Sequence, residues 1–273
     1  MRWKNSSTMD RELPIHTIEG TVFIVDVNKN ELCQLDNQEN RIRFEDMDYT
    51  GVSYRLEYDL EQKNIPYSPD ANPVKDIIVP PLISLDPEGM AFKYGLPISV
   101  IQQKSDFDIL VNPKLLTKRM NGELPVVDIA GHDYLVDYHS SELRAKDNSN
   151  TVIQLHNLDY HYQDEMYRGF YQISTRRILD IDEATIQEIP KDLVMLEIPF
   201  ERKLDPYAFA IEEKLDIKST VIKYPPEEKR VINIVPIEQT NLPKLVKINR
   251  EWAKRVETKK QQPIKKMRRG PKL

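Results

Sequence analysis

Residues 21–27 read Thr-Val-Phe-Ile-Val-Asp-Val, with Phe23, Val25 and Val27 on one side of a two-residue alternation. That period marks a strand with one buried face. The preceding residues 15–18 are also strand-like, and Glu19-Gly20 between them supplies the turn of a hairpin. Further strands are expected at 31–35 and 41–44. Another is expected at 54–58, where Tyr54, Leu56 and Tyr58 alternate, and one at 75–79, stopped by Pro80-Pro81. The period then changes. Asp86-Pro87 predicts a helix start, with the aspartate as cap and the proline at the first helical position, and Gly95 and Pro97 end that helix. A second helix is predicted over 113–120, between an Asn112 cap and Asn121-Gly122.

The pattern then returns. Shifting the chain by 111 positions aligns 13–49 with 124–160 without gaps, and 13 of the 37 positions are identical. Ordinary composition gives about two such matches. Tyr134, Val136 and Tyr138 take the places of Phe23, Val25 and Val27, and Asp205-Pro206 repeats Asp86-Pro87 ahead of a helix running to about Leu215. Strands are expected at 219–224 and 230–236. Asn241 then opens a helix with Leu245, Ile248, Trp252 and Val256 on one apolar stripe. The resulting expectation is an α+β fold of two tandem related units, each mostly antiparallel strands followed by short helices. The boundaries are a polar arm at 1–12, a first unit at 13–123, a second at 124–248 and a basic tail at 249–273.

Composition narrows the function classes. Hydrophobic residues make 40% of the 273 and charged residues 30%, and no apolar run approaches the roughly 18 residues of a membrane span. The start, Met1-Arg-Trp-Lys, has no apolar core of a signal peptide. A single cysteine, Cys33, excludes an internal disulfide and fits a cytoplasmic setting. The chain has no G-x-G, G-x-S-x-G, H-E-x-x-H or C-x-x-C, so it lacks the usual signatures of nucleotide, hydrolase and zinc chemistry. No cofactor is expected.

Charge points to the end of the chain. Residues 249–273 hold ten Lys and Arg against two acids, a net +8, whereas the whole chain carries −5 and the remainder therefore −13. Lys254, Arg255, Lys259, Lys260, Lys265, Lys266, Arg268, Arg269 and Lys272 are the candidate contacts to nucleic acid or an acidic protein partner. The plainer reading is a solvated tail, or one that folds back on its acidic body.

Other candidates compete less well. Four of the five histidines, His132, His139, His156 and His161, lie in the second repeat, but their spacings are not those of metal sites. Asp26 and Asp137, with Glu31 and Glu142, recur in both repeats, which favours turn-bonding over acid–base chemistry. The paired Tyr49/Tyr160, Tyr54/Tyr167 and Tyr58/Tyr171 fit either a half-buried sheet face or an aromatic binding surface. Cys33 is matched by Arg144, which predicts an exposed strand position.

The stretches Leu13-Pro14, Ile18-Glu19-Gly20, Phe23-Ile-Val-Asp26, Leu85-Asp86-Pro87-Glu88-Gly89-Met90-Ala91 and Asp128-Ile129-Ala130-Gly131-His132 resemble an uncharacterised family of bacterial proteins. That resemblance implies a bacterial cytoplasmic setting and carries no activity, cofactor or catalytic residue. The functional expectation is a non-enzymatic binding protein whose basic tail contacts nucleic acid or an acidic partner. The alternatives are an enzyme with a site around His132, Asp137 and His139, and a structural or assembly protein. Oligomeric state is left open.

Overall fold

A computed structural model describes residues 11–67 and 73–260, with backbone alone at 257–260. Strands β1 (Ile15–Ile18) and β2 (Thr21–Asp26) form the expected hairpin, and β3 (Glu31–Gln34) and β4 (Arg41–Arg43) complete an antiparallel sheet of order β1-β2-β3-β4. Glu19 and Gly20 both take positive φ, 47° and 79°. Two such residues in succession give a tight turn whose twist matches the strands it joins. The Asp26 carboxylate accepts from the amides of Asn28 and Lys29 at 3.0 and 3.3 Å, so its role is to close the next turn. A 3-10 turn at Phe44–Asp46 leads to a second sheet of β5 (Asp48–Tyr49), β6 (Tyr54–Asp59) and β7 (Val74–Val79). Five helices follow: α1 (Leu82–Leu85), α2 (Pro87–Tyr94), α3 (Ile98–Ile101), α4 (Asp106–Leu110) and α5 (Pro113–Met120). Asp86 caps α2 through the Gly89 amide at 2.9 Å, and Gly95 ends it at φ 62°. Asn112 caps α5.

Strands β8 (Val126–Ile129), β9 (His132–Asp137), β10 (Glu142–Ala145) and β11 (Val152–Gln154) start and end 111 residues after β1 to β4. The turn dihedrals agree as well: Ala130 and Gly131 sit at φ 53° and 83°, and Ser141 at 50° against 54° for Asn30. After a 3-10 turn at Leu155–Asn157 come β12 (Asp159–His161), β13 (Met166–Gln172), β14 (Arg177–Ile178) and β15 (Leu193–Pro199). The chain ends in α6 (Glu201–Leu204), α7 (Pro206–Glu212), α8 (Ile217–Lys223), β16 (Arg230–Val231), β17 (Asn233–Pro236) and α9 (Leu242–Lys260). Among the described residues, strand pairing is antiparallel except where β16 lies parallel to β8. With 29% helix and 31% strand, the class is α+β.

By contact, the described residues of Met1–Pro125 join Glu201–Glu228 in one unit, and Val126–Phe200 joins the described residues from Lys229 onward in the other. The first unit buries Phe23, Val25, Leu32, Ile42, Tyr54, Tyr58, Met90 and Ile101 in one core, to which α8 adds Val221 and Ile222. Lys93 of α2 ties the helix to the β2–β3 turn by donating to the Val27 carbonyl at 2.6 Å and to Asn30 Oδ1 at 3.0 Å. In the second unit, Tyr134 and Tyr171 are fully buried and share a hydroxyl–hydroxyl bond of 3.1 Å. A separate cluster of Leu193, Ile237, Leu242 and Val246 seats the start of α9.

Several expectations need correction. Residues 219–224 are not a strand: 217–223 form α8, because Asp216 caps it through the Ser219 amide at 2.7 Å and its β-branched residues pack on the first core. Helix α7 stops at Glu212, and Lys214, at φ 56°, turns the chain away before Leu215. The strand expected over 230–236 breaks at Ile232 into β16 and β17, which pair with β8 and β15 in different sheets. Cys33 is buried at 8% exposure, since β3 lies between β2 and β4.

Candidate nucleic-acid interface

The interface is built on α9. Thr240 starts it: its Oγ1 accepts from the Leu242 amide at 3.2 Å and donates to the Ile237 carbonyl at 2.7 Å. Leu242 and Val246 are 1% and 5% exposed against Leu193 and Ile237. One turn further, the Asn249 side-chain amide donates to the carbonyls of Glu183 and Ile186 at 3.0 and 2.9 Å, and Arg250 Nε donates to the Gln187 carbonyl. Leu242, Val246, Asn249 and Ala253 thus form the docked face, at the four-three-four spacing of one helix side.

The anchored face fixes what the opposite side shows. Ile248 and Trp252, expected in the apolar stripe, are instead 50% and 68% exposed. Asn249 explains the error: a polar residue occupies the docked face and satisfies two loop carbonyls there, so the helix is rotated from the purely apolar stripe. Lys244, Lys247, Arg250, Lys254 and Arg255 are exposed alongside them, against one acid, Glu251. Lys254 and Arg255 are the two sequence candidates whose side chains are described. Lys259 and Lys260 continue the helix as backbone only, and Lys265, Lys266, Arg268, Arg269 and Lys272 lie outside the described residues. Lys244 and Lys247 lie before the tail delimited by charge density, and Trp252 was assigned to the apolar stripe; helical spacing puts Lys244, Ile248, Trp252 and Arg255 along one side.

The residues of the alternative site, His132, Asp137 and His139, are spread along β9 and the turn after it. His132 and Asp137 are the two ends of β9, about 17 Å apart at the rise of a strand. His132 Nδ1 lies 3.2 Å from Arg176 Nη1, and that arginine also binds both oxygens of Asp147 at 2.9 Å, holding the Asp147 carboxyl below its ordinary range. Asp137 Oδ1 accepts from the Ser140 amide at 3.2 Å, the turn role seen for Asp26, and His139 is exposed. Among the described residues, no group of three His, Cys, Asp or Glu is placed to hold a metal ion.

A cleft of about 970 Å³ in the second unit is lined by Asp159, His161, Arg168, Asp180 and Glu183. Arg168 there is held by Glu197 and Asp164, both at 2.9 Å, and contacts His161 Nδ1 at 3.1 Å, so its charge is already matched by acids. Tyr58 and Tyr171 are both buried, but the Tyr49/Tyr160 pair diverges. Tyr49, Tyr54 and Tyr58 are buried, whereas Tyr160 is 53% exposed and stacks on Phe200 at 4.3 Å between ring centres. The cleft is mixed in charge, whereas the described side chains of α9 expose mainly bases.

No protein-family model, curated protein or solved structure matches the chain. Among the described residues, no helix is long and apolar enough to cross a membrane.

Proposed function

We propose that the chain is a tandem duplication whose second half has become a nucleic-acid-binding module through α9. The shared 111-residue offset of β1–β4 and β8–β11 supports the duplication. The observation that carries the binding reading is the anchored helix, whose described side chains expose Lys244, Lys247, Lys254 and Arg255 beside one acid, Glu251, with Trp252 exposed on the side that bears Lys244 and Arg255. Lys and Arg neutralise phosphates and release their counterions, which supplies affinity without demanding a shaped pocket. The bases that follow in sequence, Lys259 to Lys272, extend the same chemistry.

Neutralising Lys244, Lys247, Lys254 and Arg255 to Gln in the full chain tests this. Fluorescence anisotropy with labelled oligonucleotides is expected to show binding that falls steeply with salt and is largely lost in the variant. Absence of binding by the unaltered chain at low salt contradicts it. An acidic protein partner is the competing occupant, and retained capture of an acidic polypeptide without oligonucleotide binding would favour it.

A further inference from the structure

We infer that α9 takes single-stranded nucleic acid in preference to duplex, with Trp252 as a stacking platform for an unpaired base. The inference rests on the nucleic-acid reading and adds which form of the polymer fits. Trp252 is 68% exposed, and Ile248, one turn before it, is 50% exposed. An indole in water is costly to leave uncovered, and here the helix cannot roll to cover it. Leu242 and Val246 are seated in the apolar cluster, and Asn249 is bonded to two carbonyls. The exposure is therefore imposed by the docking.

The surround defines the occupant. Lys244 lies one turn before Ile248 and Arg255 three residues after Trp252, so the apolar pair is bracketed by bases along one stripe. Lys247 and Lys254 lie on the adjoining side of the helix, beyond Glu251, the one acid among the described side chains. A second copy of this face, carrying the same excess of bases, is repelled. A membrane-lying helix needs a broad apolar face, but the larger apolar face of α9 is docked and only Ile248 and Trp252 remain. Phosphates match the bases yet leave the indole uncovered. In a duplex the base faces are hidden in the stack. A single strand supplies both a phosphate backbone and accessible base faces, and stacking on an aromatic side chain strengthens such binding about tenfold per base.

The test uses the full chain with Trp252→Ala and Trp252→Phe, both at a solvent-exposed position, so folding is expected to be retained and is checked by circular dichroism. The probes are a 20-nucleotide oligothymidylate, a duplex of the same length, and phosphatidylserine vesicles, at one salt concentration. The expected result is tighter binding of the single strand than the duplex. Trp252→Ala then weakens the single strand about tenfold and leaves the duplex unchanged, while Trp252→Phe retains most of the affinity. Equal affinity for both forms with no effect of Trp252→Ala overturns the stacking inference and leaves the charge reading standing. No binding of either oligonucleotide overturns the reading beneath it. Vesicle binding that depends on Trp252, without a single-strand preference, assigns the face to lipid and overturns the inference.

Discussion

At the scale of single residues, buried aspartates organise the first unit. Asp86 and Asp205 each cap a helix, are 2% and 0% exposed, and each meets an arginine, Arg11 and Arg119 respectively. The Asp86 clasp also explains Gly89, where a β-carbon would overlap both the carboxylate and Arg11. Removing one partner leaves a buried charge uncompensated. Arg119→Ala is therefore expected to lower stability by about 3 kcal/mol in urea unfolding, with Asp205→Asn in the same chain restoring part of the loss. Asp106 behaves differently. It accepts from Tyr54 Oη at 2.8 Å and from the amides of Leu82 and Ile83 at 2.7 and 3.0 Å, but burial dominates and pushes its carboxyl above the ordinary range. The folded state then holds this proton more tightly than the unfolded state. Its contribution is full below the unfolded value of about 4 and is lost as pH rises through the folded value. Stability measured from pH 3 to 7 is expected to show this fall in the unaltered chain and to lack it in Asp106→Asn; identical pH profiles would contradict the assignment. The Asp86 cap and the Glu19-Gly20 turn were legible in the sequence because each is decided within a few residues. Arg11 and Arg119 were not, since their partners lie 75 and 86 positions away.

At the scale of elements, the sequence was read well where period and punctuation agree, as in the β1–β2 hairpin and in α2 and α5. It was misread where packing overrules pattern. The β-branched run of α8 suits a strand, but the Asp216 cap and burial of Val221 and Ile222 make it a helix. The α9 stripe was assigned by apolarity alone, and Asn249 changed the face. Strand β7 shows how a sheet edge is protected. It closes the order β5-β6-β7, and Val74 and Ile78 on it are exposed. Lys75 and Asp76, with Pro73 before and Pro80-Pro81 after, oppose pairing with another chain. Replacing Lys75 by Val and Asp76 by Thr is expected to promote concentration-dependent association seen by light scattering. A variant as dispersed as the unaltered chain would show that these charges are not what guards the edge.

At the scale of the whole molecule, the chain separates its charge: +8 in the final 25 residues and −13 in the rest. This asymmetry was plain in the sequence, and it drew the candidate contacts to the end of the chain. Their geometry was not plain, because charge density does not say which helix face is docked. The structure adds that Lys244, Trp252 and Arg255 lie along one side of α9, with Lys247 and Lys254 on the side adjoining it, while Asn249 and Val246 hold the docked side. An acidic remainder keeps non-specific contacts with polyanions away from the rest of the surface, so binding is expected to be confined to α9 and the bases that follow it. The most direct test is the salt dependence of oligonucleotide affinity for the full chain and for the variant with Lys244, Lys247, Lys254 and Arg255 changed to Gln. If these four bases meet phosphates of a single strand, the log–log slope becomes shallower by about 3 in the variant. An unchanged slope, with binding otherwise intact, would place the contacts elsewhere and contradict the role assigned to α9.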